Sequence, residues 1–201
     1  MPCAVTNRYF PMLAHTLRDL FDIRLEHDPS LNRLSRRPVR QIIAGSVCRD
    51  PQGRIRLIYK ENVDDLSSGR FHDRDVIGFN MAWSRLIIVA VPPAVEPISD
   101  RCAYVPRDLD SYLLAVTLHE LYENLTGDVR HCHNPGRCLN SVCRADCNGT
   151  CCVCMAGLIE KRWPDLTLED LYCKEHLAGL RRALRLPAPA PAFPGRRPGS
   201  P

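Results

Sequence analysis

Seven cysteines crowd into residues 132–154 of this 201-residue chain, and so many thiols in one short stretch leave few ways to fold it. They stand at Cys132, Cys138, Cys143, Cys147, Cys151, Cys152 and Cys154, interleaved with Gly, Asn, Asp and Pro. What thiols do depends on compartment. The N-terminus lacks a basic segment followed by an apolar one, so no secretory signal is read and a cytoplasmic location is expected. A reducing compartment disfavours disulfides and favours metal thiolates. Adjacent Cys151 and Cys152 allow only a strained vicinal disulfide. An iron–sulfur cluster and free thiols are the other readings, but histidines mixed among the cysteines suit zinc better. His131 and His133 flank Cys132, and Cys173 and His176 form a C-x-x-H pair at an expected helix start. Zinc takes four tetrahedral N or S ligands, brought together by short loops. Cys138, Cys143, Cys147 and Cys151 follow one another with four, three and three intervening residues, so one or two structural ions are expected. Spacing does not decide which four ligands share an ion.

The remaining composition describes an ordinary globular chain. Apolar residues make up 45%, enough for a core, and aromatics only 6%, so that core is expected to be mostly aliphatic. The net charge is +4, with 24 Arg, 3 Lys and 23 acidic residues spread along the chain. No basic stripe interleaved with aromatics is present, so nucleic acid is not an expected partner. The longest apolar run, Leu86 to Val95, is too short to span a bilayer and is broken by Pro92 and Pro93, so no membrane partner is expected. A monomer is the expected state.

Along the chain, apolar spacing predicts a helix over 11–25, with Pro11 in its first turn. Strands are expected over 39–48 and 54–59, separated by the turn signal Pro51-Gln52-Gly53. A second strand pair is expected at 75–80 and 85–91. Leu86 to Val91 is apolar on both faces and belongs inside a covered sheet. Residues 92–106 read as loop. The clearest helix is Asp110 to Thr126, capped by Asp110 or Ser111, striped by Leu114, Leu118, Leu121 and Leu125, and closed by Gly127. Further helices are expected at Met155–Lys161 and over 168–186. Residues 187–201 alternate Pro and Ala and read as an extended tail. The expected fold is α+β: a mixed, partly parallel sheet with flanking helices in 1–126, a Cys-rich zinc-binding C-terminal subdomain in 127–186, and the tail.

His119-Glu120-Leu121-Tyr122-Glu123 lies on the clearest helix. Residues four apart share a helical face, so His119 and Glu123 can address one metal. Glu120 can then reach a water at that metal, the arrangement of a zinc hydrolase motif. The plain alternative is a solvated His and Glu on a helix. Downstream, His131-Cys132 supplies an H-C pair, Cys152 or Cys154 precedes Met155, and 17 residues separate Met155 from Cys173.

In these features the segment resembles the archaemetzincins, compact metalloproteases of the metzincin class. Their pattern runs H-E-x-x-H-x-x-G-x-x-H-C, then a Cys, a Met and a C-x-x-C pair. The resemblance covers roughly 110–180; 75–92 resembles the preceding strands more loosely. This chain has Glu123 for the second histidine, Cys173–His176 for the final Cys–Cys pair, one extra residue on each side of Gly127, and about 15 extra residues between Cys132 and Cys152. The resemblance implies a peptidase acting on a peptide or protein substrate. His119, Glu123 and His131 would hold a catalytic zinc, with His133 and Asp128 as alternative third ligands. Glu120 would be the base and Met155 the Met-turn residue; the plain reading of Met155 is a core methionine. It also implies a structural ion on Cys132, Cys152, Cys173 and His176, with Cys138, Cys143, Cys147, Cys151 and Cys154 as alternative or second-site ligands. Two other functions are open: an inactive descendant that keeps the structural zinc and binds a partner, and a zinc-ribbon module contacting nucleic acid through its arginines.

Overall fold

A computed structural model of the chain describes residues 8–45, 53–60, 78–91, 108–128 and 151–185. The expected loop at 92–106 and the tail at 187–201 lie outside these residues.

Helix α1 (Tyr9–Phe21) carries Pro11 in its first turn, where a missing N–H costs nothing. Asp22 closes it in the left-handed conformation. Asp28 caps α2 (Pro29–Leu34), accepting from the Ser30 amide at 2.9 Å, with Pro29 in the first helical position. The next segment corrects the sequence reading. Within 39–48, where a strand was expected, the chain forms α3 (Val39–Gly45). Val39, Ile42 and Ile43 are spaced i, i+3, i+4, so one helical face collects them, whereas a strand would scatter them over both faces. Val39 and Ile42 are buried on that face.

Among the described residues three strands make the sheet: β1 (Arg56–Lys60), β2 (Gly78–Met81) and β3 (Leu86–Ala90), in the order β1-β3-β2. β1 runs parallel to β3, with Ile58 opposite Ile88; β2 runs antiparallel to it, with Asn80 opposite Ile87. A single 3-10 turn (Ala82–Ser84) and left-handed Arg85 reverse the chain between β2 and β3. β3 is therefore the central strand, as its two-sided apolar run requires. Ile87, Val89 and Val91 point into the larger core with α1 and α4. Leu86 and Ile88 point the other way, against Val39, Ile42, Ile58 and Met81. At the end of β1 the buried Lys60 ammonium donates to the Ser35 and Arg37 carbonyls, at 3.0 and 2.6 Å, and so secures the connection from α2 to α3.

Helix α4 (Leu109–Thr126) runs across the sheet. Its cap is Asp108, two residues or more before the positions expected; the carboxylate accepts from the Ser111 amide and hydroxyl at 3.2 and 2.6 Å. Gly127 ends it with φ +69°. Residues Asp110 to Leu118 are all buried, so the helix is enclosed rather than striped. The core is also less aliphatic than composition suggests, for Tyr9, Phe21, Tyr112, Tyr122 and Tyr172 all sit inside it. Tyr9 of α1, Tyr59 of β1 and Thr117 of α4 join their hydroxyls in a closed triangle, which satisfies three polar groups in an apolar setting.

Of the C-terminal helices, α5 and α7 pack on α4, and α6 packs on α7. α5 (Cys151–Arg162) leads through a cis Trp163–Pro164 bond to α6 (Leu168–Leu171) and α7 (Lys174–Leu184). The sequence reading joined the last two into one helix. A capping box between Thr167 and Asp170 starts α6, and extended backbone at Tyr172 and Cys173 breaks it from α7. The larger core continues from α1 through α4 to Met155, Ile159, Leu171 and Leu180. Among the described residues no helix is long and apolar enough to cross a membrane.

Candidate metal site on helix α4

An α-helix turns about 100° per residue, which fixes the order of side chains around α4. Passing round its last two turns, one meets Tyr122, His119, Glu123, Glu120 and Asn124. The first faces α7, the last two face β2, and the His119–Glu123 pair lies between.

His119 Nε2 stands 3.3 Å from Glu123 Oε1, both side chains mostly shielded at 18% and 14% exposure. Nitrogen and oxygen ligands about 2.0–2.1 Å from a tetrahedral zinc lie about 3.3 Å apart. The pair therefore already has the spacing of two ligands on one ion. Without metal it is an i, i+4 contact, an ion pair when His119 is protonated.

Glu120 is buried at 7% exposure, with its carboxyl laid over Gly78 of β2. A β-carbon at Gly78 would come within 2.2 Å of Glu120 Oε1 and 2.7 Å of Cδ. The bare glycine thus makes the space that the carboxylate fills. One helical turn on, Asn124 Nδ2 donates to Asn80 Oδ1 at 2.8 Å. Two residues of strand span about 6.6 Å and four of helix about 6 Å, so Gly78/Glu120 and Asn80/Asn124 match in register. Among the described residues β2 is one of the two edge strands, and its Gly78 lies under the Glu120 carboxyl.

On the opposite flank, Cys173 is the N-cap residue of α7 and His176 lies in its first turn. Cys173 Sγ and His176 Nδ1 are 2.9 Å apart. A thiolate and an imidazole on one tetrahedral zinc are separated by about 3.6 Å, so this pair fits the ion after opening by a fraction of an ångström. Tyr122 packs its ring against His176, centroids 4.8 Å apart and nearly perpendicular, and stacks on Tyr172 at 5.6 Å. The Tyr172 hydroxyl donates to the Leu118 carbonyl at 3.0 Å.

The remaining residues singled out in the sequence divide as follows. Asp128 follows the end of α4, its amide donating to Thr126 Oγ1 at 3.1 Å. Met155 is helical, on α5, and buried in the larger core. Cys151, Cys152 and Cys154 occupy the first turn of α5 by backbone position. His131, Cys132, His133, Cys138, Cys143 and Cys147 lie outside the described residues. Among the described residues no three His, Cys, Asp or Glu side chains converge on one point. The two donor pairs, on α4 and at the start of α7, are what the described structure brings together. Gly78, Asn80, Tyr122, Asn124 and Tyr172 were not singled out as site residues. The one advance signal was Gly78, since a glycine inside a strand marks a close approach.

Compared with known proteins, the chain matches no family model, no curated protein and no solved structure.

Proposed function

We propose that the chain is a zinc-dependent peptidase of archaemetzincin-like type, with a catalytic ion on His119 and Glu123 and a structural ion on Cys173 and His176. The observation that carries this reading is the His119–Glu123 separation of 3.3 Å, beside a buried glutamate seated on an edge strand. The third catalytic ligand would come from His131, His133 or Asp128. The remaining structural ligands would come from Cys132 and Cys152, with Cys138, Cys143, Cys147, Cys151 and Cys154 as alternatives, making 127–186 a zinc-stapled unit.

Zinc at the α4 pair would supply a Lewis acid that makes water a nucleophile near neutral pH. Glu123 brings a negative charge where the related pattern has an imidazole, which partly offsets the ion's charge and moderates that effect. The residues themselves do the following. His119 and Glu123 hold their donor atoms at ligand spacing. Glu120 accepts the proton of the attacking water at a carboxylate oxygen, then gives it to the departing amine. Gly78 and the Asn80–Asn124 bond keep that carboxylate in place. The edge position of β2 suits an extended peptide, which can lie along such a strand by main-chain hydrogen bonds.

Glu120→Gln tests this reading on a mixture of fluorogenic peptides. Cleavage should fall about 10²–10⁴-fold, the usual contribution of a general base, while zinc content stays constant. Cleavage that survives the change contradicts the peptidase reading. A wild-type chain that keeps its zinc and cleaves nothing points instead to the inactive, partner-binding descendant.

A further inference from the structure

The chain's positive charge is gathered at one place. Residues 29–45, which form α2, the turn after it and α3, hold Arg33, Arg36, Arg37 and Arg40 and no acidic residue. That charge of +4 equals the net charge of the whole chain, so everything outside the segment sums to neutral. All four arginines are exposed. Among the described residues no carboxylate pairs with Arg33, Arg36 or Arg37. The turn that carries them is fixed from below. The buried Lys60 ammonium donates to the Ser35 and Arg37 carbonyls, at 3.0 and 2.6 Å, and Val39 and Ile42 anchor α3 on the sheet. α3 packs on the sheet face away from α4, so this surface is separate from the candidate metal site.

Like charges gathered without counter-charges repel one another, a cost that an arriving anionic partner relieves. A guanidinium offers a planar fork that takes a carboxylate or a phosphate by two hydrogen bonds. Two observations favour carboxylates. The segment has no Phe, Tyr or Trp, so a nucleic-acid base finds nothing there to stack on. The residues just before α2 are net acidic, with Asp22, Glu26 and Asp28 exposed against a single Arg24. A long phosphodiester chain running past the arginines on that side meets repulsion. A short acidic stretch of polypeptide avoids both difficulties. We infer that the α2–α3 turn is a docking surface for an acidic segment of a partner protein, held by Arg33, Arg36, Arg37 and Arg40. The inference is independent of the zinc and peptidase readings above.

Fluorescence anisotropy of a labelled oligoglutamate peptide, titrated with the full-length chain, tests this. Salt at about 0.1 M suits the titration, because exposed charges more than about 10 Å apart are then largely screened. The wild type should bind the peptide, and more tightly than a labelled oligothymidylate of equal charge. Arg36→Glu with Arg37→Glu should weaken peptide binding about tenfold, because repulsion replaces attraction at two positions. Both side chains are exposed, so the fold should tolerate the change. The neutral pair Arg36→Gln with Arg37→Gln should fall between this variant and the wild type. Arg182→Glu with Arg185→Glu makes an equal change of charge at two exposed positions at the end of α7. It should alter affinity less than about twofold. No binding by the wild type overturns the inference. Equal losses in the two charge-reversed variants overturn it too, assigning the binding to net charge rather than to this surface. An oligothymidylate held more tightly than the peptide, and released by Arg36→Glu with Arg37→Glu, overturns the partner class and makes the surface a phosphate binder.

Discussion

At the scale of single residues, the contact between Glu120 and Gly78 says most about chemistry. The carboxyl occupies the volume where any other residue at 78 would carry its β-carbon. Gly78→Ala should therefore push Glu120 aside without touching His119 or Glu123. Misplacing a reacting group by about 1 Å can cost about 100-fold in rate, and a loss of that order in kcat/KM at constant zinc content is expected. Full activity in Gly78→Ala would show that Glu120 does not work from its present seat. The hydroxyl triangle of Tyr9, Tyr59 and Thr117 gives a second prediction. Burial, and for Tyr9 also the neighbouring Tyr59, push both phenols above their usual range. Unfolded tyrosines release protons near pH 10 while the folded ones hold them, so the unfolded state binds fewer protons above that pH. Stability should be fully present below pH ~10 and decline as pH rises beyond it. Denaturant midpoints across that range should fall less steeply in Tyr59→Phe than in the wild type. Parallel declines would remove the triangle from the explanation.

At the scale of elements, legibility followed the number of independent signals each segment carried. α4 was plain in the sequence because apolar spacing and a terminal glycine agreed over five turns. The two-sided apolar run of β3 likewise announced a central strand. α3 was misread because Val and Ile favour strands, yet their spacing is helical, and over seven residues the two signals conflict. The break at Tyr172–Cys173 carries no local turn signal such as Gly or Pro, and Tyr172 there bonds to Leu118, 54 residues away. The helix pair His119–Glu123 was legible because i, i+4 is a local relation. Its setting against Gly78 and His176 was not, because those contacts arise only when the sheet and α7 pack on α4. The α4 cap belongs to this scale too. Asp108→Ala removes the acceptor of the Ser111 amide and should cost about 1 kcal/mol, read as a lower denaturant midpoint with unchanged slope. No change in midpoint would mean another group caps the helix.

At the scale of the molecule, α4 is the described element that contacts the most others. It bears the sheet on one flank, α1 on another, and α5 and α7 on a third. Under the proposed two-site reading, an ion on Cys173 and His176 would help hold the last helices against α4. Removing metal should accordingly loosen α5 to α7 before the sheet. Hydrogen exchange with and without a chelator checks this: amides of α5 and α7 should lose protection while those of β1 and β3 keep it. Uniform protection under chelation would deny the C-terminal region its metal. The central claim is that His119 and Glu123 hold an ion of their own, and elemental analysis of zinc per chain tests it most directly. Glu123→Ala should lower the wild-type count by one ion while the ions held by cysteine remain. An unchanged count in Glu123→Ala would contradict the claim and leave His119 and Glu123 as a helical ion pair.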